Sequence, residues 1–408
     1  MSAKPTGPLP PEFTAQQGEL RIGGRTADDW VEAAGATPVF VYDPATVARR
    51  VAAFRVAFPA VDLHYAIKAN PHPPLLAAMA SLVDGLDVAS RGEMVRALTV
   101  KPPGAISFAG PGKRDEELAA AIDQGVTINL ESAGEAERAL RIGERLGLTP
   151  RLAVRVNPDV ELKGSGMKMG GRPSPFGIDA DRAAAVAQAA IGAGADWRGW
   201  HIYAGSQSLD SDAIVETQAA VLALAERLSD AVGRAPPLVN LGGGFGVPYF
   251  AGDVPIDIPR IGEALAAAIA RSPLREARFA LELGRWLVAE AGVYLTRIVD
   301  RKESGGETFL VCDGGLNHQL AATGNLGTVV RRNYPLAVAH AMGGAADAVV
   351  SVVGPLCTPL DRLGDRVALP RAQVGDLVAV FLAGAYGATA SPAAFLGHPP
   401  AAELLAST

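Results

Sequence analysis

The chain has 408 residues, of which 49% are hydrophobic and 20% charged, with a formal net charge of −6 and an isoelectric point of about 5.6. This length allows a large core in two or three domains, or one barrel with an addition, and the acidic balance carries no electrostatic footprint for nucleic acid. No apolar run approaches the ~20 residues that span a bilayer, and the opening Met-Ser-Ala-Lys-Pro-Thr-Gly-Pro has no signal-peptide core, so a cytoplasmic protein without a membrane partner is expected.

Residues 1–30 are rich in Pro and Gly and then polar. The segment 37–42, Thr-Pro-Val-Phe-Val-Tyr, predicts a strand, and a helix follows over 44–57. Short β-rich runs then recur at 62–67, 85–89, 105–109, 126–130, 151–157, 198–204, 237–242 and 278–283. Between them lie alanine-rich helical stretches such as 114–123, 133–146, 180–193, 211–230 and 260–271. Eight strand–helix alternations describe an α/β fold of the (β/α)8 barrel type more economically than an open doubly wound sheet. After residue 290 the helices stop, and runs at 293–299, 309–312, 349–353 and 377–382 predict a mostly β region, joined by the strand at 37–42. The expected division is a barrel over 44–289 and a β-rich domain made of 1–43 with 290–408. The Ala/Gly-rich patch at 337–348 reads as a loosely specified loop.

Barrels of this kind carry their chemistry at the C-terminal ends of the strands. The first run ends in Lys68, followed by Asn70 and then Pro71, Pro73 and Pro74. A lysine buried at that point would have a lowered pKa and could act as an amine nucleophile toward a carbonyl. Other ends carry Asp87, Asn129 with Glu131, Arg155 with Asn157, Tyr203 to Gln207, Gly242-Gly243-Gly244, and Glu282 followed by Arg285. Stability does not require so many polar ends on one face, so a binding site is the better reading. The triple glycine lets backbone amides approach an anion, and Arg285 and Ser206 could close on the same anion.

An imine-forming lysine beside a phosphate site is what pyridoxal 5′-phosphate requires. A carboxylate at 282 could keep the pyridine nitrogen protonated and make the ring a strong electron sink. Two cysteines, Cys312 and Cys357, cannot form a disulfide framework, and at least one is a candidate reactive thiol. Neither they nor the six scattered histidines have metal-site spacing, so no metal is expected.

The motifs Tyr65-Ala-Ile-Lys68-Ala-Asn70, Leu86-Asp-Val-Ala-Ser90, Gly205-Ser206-Gln207, Leu241-Gly-Gly-Gly-Phe245, Glu282-Leu-Gly-Arg285, Cys312-Asp-Gly-Gly315, Gly354-Pro-Leu-Cys357 and Gly384-Ala-Tyr386 occur in this order. Together they resemble the fold type III pyridoxal-phosphate decarboxylases, the group of ornithine, arginine and diaminopimelate decarboxylases, over residues 38–396. The resemblance implies an alanine racemase-like barrel with a second β-rich domain, and Lys68 as the cofactor's point of attachment. It implies that Ser206, Gly243, Gly244 and Tyr386 hold the phosphate, that Glu282 meets the pyridine nitrogen, and that Arg285 serves the phosphate or the substrate carboxylate. Asp87, Arg155, His201 and Tyr203 fall in the cofactor site, and Asp313, Thr358, Asp361 and Tyr386, with Arg285, in the substrate site. It also implies a head-to-tail homodimer in which Cys357, as proton donor, and Asp361 reach the partner's active site.

Three departures bear on the substrate. Tyr203 stands where the family usually has a histidine stacked on the cofactor ring, with His201 two residues earlier on the same strand face. Thr358 follows Cys357 where relatives place an acid that reads a distal ammonium, and threonine supplies no such charge. The segment 161–176 holds Lys163, Lys168 and several glycines, which suggests an open cationic mouth. This last feature is similar to the decarboxylases of exosortase and exopolysaccharide gene clusters, and to the butirosin-type enzyme that acts on glutamate tethered to an acyl carrier protein. The resemblance therefore implies decarboxylation of an L-amino acid, free or carrier-bound. The runner-up is a meso-diaminopimelate decarboxylase with Arg331, Arg332 and Tyr334 as readers of the distal carboxylate. Glu282 and the Cys357 motif argue against an alanine racemase, and Lys68 with Cys357 against a non-catalytic cofactor-binding or regulatory protein.

Overall fold

The computed structural model describes residues 2–164, 166–168, 173–324 and 332–406, with the backbone alone at 167–168. The chain divides into two units, residues 51–246 with 256–284, and residues 1–50 with 247–255 and 285–408.

The first unit is a closed parallel barrel. Its strands are β1 (Asp62–Ala66), β2 (Gly85–Val88), β3 (Ile106–Phe108), β4 (Thr127–Leu130), β5 (Arg151–Asn157), β6 (Asp196–Ile202), β7 (Leu238–Asn240) and β8 (Arg278–Leu283). Each pairs with the next in sequence, and β8 pairs with β1 to close the ring. Strands covered on both faces need apolar side chains on both, and so β1, β2 and β4 are buried almost throughout.

The helices lie between the strands: α1 (Pro73–Ala80), α2 (Arg91–Leu98), α3 (Asp115–Gln124), α4 (Ala133–Leu146), α5 (Ala180–Gly192), α6 (Ser211–Val232) and α7 (Ile258–Arg271). Helix α4 buries Ala136, Ala139 and Gly143 at the spacing of one helical face. Ser132 caps its first turn by accepting from the Glu135 amide at 3.1 Å, and Gly147 ends it at φ 66°, a left-handed conformation that glycine adopts without strain. The prolines at 71, 73 and 74 mark the end of a strand, as expected. Two of them also open α1, whose first turn has no use for their missing N–H groups.

The second unit is mostly β. Strands β9 (Gly292–Ser304), β10 (Glu307–Cys312), β11 (Leu336–Val338), β12 (Ala348–Val353), β13 (Arg362–Leu369) and β14 (Leu377–Val380) form one sheet system with Val39–Tyr42 and Ala402–Leu405. The long strand β9 is its spine, antiparallel to β10, to β14 and to Val39–Tyr42.

The N-terminal stretch adds two elements, and one expectation is corrected. The polar N-terminal stretch contains a strand, Glu19–Ile22, and a helix, Ala27–Ala34, closed by a Thr26/Asp29 capping box. One buried tryptophan anchors that helix, Trp30, whose indole N–H donates to the Ile22 carbonyl at 2.9 Å. The patch at 337–348 is not loosely specified at its start: β11 pairs with β14, and Ala337, Ala339 and Met342 join the core of this unit. Alanine supplies too little side chain for a sequence pattern to reveal such a strand. Among the described residues no helix is long and apolar enough to cross a membrane.

Candidate active site

Parallel register sets Arg155 of β5 beside His201 of β6, His201 beside Asn240 of β7, and Glu282 of β8 beside His64 of β1. His201 Nε2 and Glu282 Oε2 are 2.9 Å apart, with side chains only 3% and 7% exposed. Burial works to raise the Glu282 pKa. The hydrogen bond and charge of His201, with the charges of Lys68 and Arg155, overcome it and hold the carboxyl well below its usual range. The acid at 282 is therefore an anion at neutral pH.

Lys68 lies on the single turn Ile67–Ala69 that follows β1, between the buried residues Ile67 and Ala69. The expectation that it is itself buried is corrected: its side chain is exposed. The strand stops at Ala66, so the turn carries the lysine past the last barrel residue. Its charge nevertheless reaches into the barrel, where it acts on Glu282 and on Glu93.

Asp87 is buried on β2, accepts from the Ser107 hydroxyl, and lies 3.4 Å from His64 Nδ1. Ser107 in turn accepts from Asn129 Nδ2 at 3.2 Å. Burial lowers the His64 pKa, but Asp87 outweighs it and the net direction is upward. Arg155 donates to Glu131 Oε1 at 2.8 Å, and Glu131 also accepts from the amides of Gly110 and Gly177. Lys113 completes the network from inside the barrel wall, donating to the Asn129 carbonyl and to Glu135, each at 2.9 Å. His64, Ser107, Lys113 and Glu135 had no expected role. The signal for the first two is polarity within otherwise apolar strands; Lys113 lies in a loop and gives none.

The triple glycine is required by the backbone around it. A Cβ at Gly243 would lie 2.1 Å from the Glu282 carbonyl oxygen, and one at Gly244 2.6 Å from the Gly205 carbonyl oxygen. The turn is thus wedged between the ends of β6 and β8, tied by Glu282 N to Gly242 O at 2.7 Å and by Ser208 N to Gly244 O at 2.9 Å. Ser206 and Tyr203 are half-buried on the same side. The backbone of 167–168, within the segment 161–176, pairs antiparallel with Gly205–Ser206. Lys163 is exposed and pairs with Glu216 at 3.1 Å; the Lys168 side chain lies outside the described residues.

In the β-rich unit Arg285 Nη1 donates to Tyr249 Oη at 3.1 Å, and its guanidinium stands 4.8 Å from the centre of the Tyr386 ring. Tyr334 lies 4.8 Å from Tyr249, and Arg332 stands 3.9 Å above Phe250. Burial opposes the charge on Arg285, but the tyrosines around it raise its pKa, and its Nε is buried with no hydrogen-bond partner among the described residues. Tyr386 holds a left-handed φ of 57°, an unusual conformation for an aromatic residue. Arg331 lies outside the described residues.

Cys357 is exposed, with Thr358 half-buried after it, whereas Cys312 is buried and its thiol is pushed up by that burial. Two acids expected in the substrate site are held by bonds within this unit. Asp361 is buried, and its oxygens accept from the Leu316 and Leu356 amides at 2.6 and 2.9 Å; it braces the Cys357 loop. Asp313 accepts from Thr37, Thr296 and the Arg297 amide and pins β9 in the same way.

The donor set fits pyridoxal phosphate: a lysine at the barrel end, a buried carboxylate held as an anion, and a turn where side chains would collide with backbone. Such a barrel end defines a pyridoxal-phosphate enzyme. The sequence profile described as "Pyridoxal-dependent decarboxylase, pyridoxal binding domain" matches residues 44–289, and the chain belongs to this family of pyridoxal-phosphate-dependent amino-acid decarboxylases. It is 36% identical over 381 residues, 90% of this chain and 88% of the relative, to the L-glutamyl-[BtrI acyl-carrier protein] decarboxylase of Niallia circulans. It is 31% identical to the diaminopimelate decarboxylase of Aquifex aeolicus, over 97% of this chain and 92% of the relative. The crystal structure of diaminopimelate decarboxylase from M. jannaschi superposes with a TM-score of 0.88 at 26% identity, covering 98% of this chain and 93% of the other.

Proposed function

We propose that this decarboxylase removes the α-carboxylate of an L-amino acid presented as an acyl group on an acyl carrier protein. The observation that carries the reading is the 36% identity, across nine-tenths of the chain, to an enzyme named for glutamate on such a carrier. Thr358 agrees with it: the residue after Cys357 brings no charge to pair with the distal ammonium of a free diamine.

Pyridoxal phosphate, when bound, supplies a conjugated ring that accepts the electron pair released as CO2 departs. Lys68 is the proposed point of attachment, and its position past the barrel end leaves its amine accessible. Ser206, Gly243, Gly244 and Tyr386 hold the phosphate, with Arg285 beside it or on the substrate carboxylate. Glu282 holds a proton at the pyridine nitrogen, and His201, Arg155 and Asp87 keep the surrounding charges in place. Tyr203 provides an aromatic face for the ring. Cys357 delivers the proton that replaces CO2 at the α-carbon. We further propose that the enzyme is a cytoplasmic homodimer, with the β-rich unit of 1–43 and 290–408 completing the partner's site through Cys357.

A second reading, decarboxylation of meso-diaminopimelate, draws on the relatives of that name and on Arg285, Arg332 and Tyr334, which could read a distal carboxylate. Purified holoenzyme incubated with an aminoacyl carrier protein, the free amino acids and meso-diaminopimelate separates the two. The carrier conjugate should lose CO2 with kcat/KM at least ~100-fold above any free amino acid. Faster release of lysine from diaminopimelate would reverse the order of the readings. A Lys68→Ala chain should be colourless and inactive, and retained turnover in it would end both.

A further inference from the structure

The barrel interior below the Glu282–His201 pair is hollow and polar, which the decarboxylase assignment does not require. Barrels of this type fill their interior with layers of branched apolar side chains. Here a cavity of about 150 Å³ is lined by the polar residues His64, Ser107, Asn129, His201 and Asn240, together with apolar residues such as Ala153 and Trp200. It reaches the exposed residues Gly104, Pro237 and Arg278 at the start of β3, β7 and β8, the end of the barrel opposite Lys68 and the triple glycine. His201 Nδ1 is buried with no hydrogen-bond partner among the described residues, His64 Nδ1 faces Asp87 at 3.4 Å, and both residues line the cavity. Gly85 keeps it open, since a Cβ there would lie 2.7 Å from His64 Nε2 and force that ring aside.

One water needs roughly 10–15 Å³ of such space and two or more polar partners, so the cavity has room and donors for several. An unpaired polar atom buried in an apolar void is costly, and a water on His201 Nδ1 removes that cost. We propose that the cavity holds a file of water molecules leading from solvent at the N-terminal end of the barrel to His201, and that His201 passes protons between this file and Glu282. The first water of the file gives a proton to Nδ1 and takes one from the next water, solvent supplying the last, while the proton on Nε2 moves to Glu282 Oε2; the reverse movement returns it. Arg155 on β5, His64 with Asp87 on β1 and β2, and the charge of Lys68 face the same pair, and His201 stands between the cavity and Glu282, so the ring serves as a conduit. His201 is then a positioning residue with a second task, letting Glu282 exchange protons while substrate covers the opposite end. That consequence rests on the proposed place of Glu282 at the pyridine nitrogen; the hydrated file does not.

The test reads the protein's own nitrogen. Holoenzyme labelled with 15N-histidine is transferred to D2O, and exchange of the His201 side-chain proton is followed by NMR with and without a saturating non-reactive substrate analogue. The wild-type rate should be unchanged by the analogue, and Ala153→Leu, which fills the cavity, or Ala105→Leu near its mouth, should slow exchange about tenfold or more. Exchange stopped by the analogue alone, or indifferent to both substitutions, overturns the proposal. Should neither variant fold, a high-resolution crystal structure of the wild type decides: ordered water on His201 Nδ1 supports the file, and a dry cavity refutes it. The measurement can be repeated on Lys68→Ala protein, so a failure of the decarboxylase reading leaves a different signature from a failure of the water file.

Discussion

His201 Nε2 meets Glu282 Oε2 at 2.9 Å, although the two residues lie 81 positions apart in the chain and on different strands. Each would be a liability alone, a buried imidazole and a buried carboxylate. Together they fix a negative charge inside the barrel, and the charge has a thermodynamic consequence.

The folded pKa of Glu282 lies below its unfolded value, so the stability it contributes is fully present above that unfolded value and is lost as pH falls through the folded one. The wild-type unfolding midpoint should therefore decline as pH is lowered below about 4.5. His201→Ala leaves the carboxylate buried without its partner, with an expected cost of roughly 3–5 kcal/mol at neutral pH. It also raises the Glu282 pKa, so the variant's midpoint should fall less steeply on acidification. Urea unfolding of both proteins from pH 7 down to about pH 2.5 checks the two slopes.

Lys113 and Glu135 form an ion pair that is 1% and 2% exposed. Burial lowers the Lys113 pKa, and Glu135 and Glu131 pull it back upward. Lys113→Met alone should cost roughly 3–5 kcal/mol by stranding Glu135, and the double change Lys113→Met with Glu135→Leu should recover a large part of it. Thermal midpoints of the three variants give the comparison; a double variant no better than the single would refute the coupling.

Thiol reactivity should divide sharply. Cys312 is enclosed and its pKa is pushed up, whereas Cys357 stands on an exposed loop. Iodoacetamide should label Cys357 in the folded protein and Cys312 only after denaturation, as peptide mass mapping will show. Cys357→Ala should keep the fold and lower decarboxylation by ~10²–10⁴-fold if the thiol is the proton donor.

Gly243→Ala places a methyl group 2.1 Å from the Glu282 carbonyl oxygen. The turn and β8 must part, at an expected cost of about 1–3 kcal/mol, and cofactor affinity should fall with the displaced loop. Calorimetry of apoprotein and titration with pyridoxal phosphate measure the two effects separately. Gly252→Ala is the control, at a turn where nothing lies within 4 Å, although its φ of 86° still carries a strain of its own.

The repeating strand and helix pattern fixed the barrel from sequence alone, because strands buried on both faces are continuous apolar runs and their helices keep an amphipathic period. Helix Ala133–Leu146 and strand Arg278–Leu283 fall on their predicted bounds. The same sequence pointed to Lys68, Glu282 and the triple glycine through motif order, since backbone-dictated glycines and strand-end polar residues are local signals. It did not reveal helix Ala27–Ala34, whose one large apolar residue is Trp30, nor that Lys68 is exposed, nor that Asp361 and Asp313 are bound to amides of their own unit. The pairing of His201 with Glu282 and of Lys113 with Glu135, and the hollow beneath them, were decided by tertiary structure alone. Strand register and loop closure bring together atoms that are distant in sequence, and a charge or a cavity depends on what surrounds it.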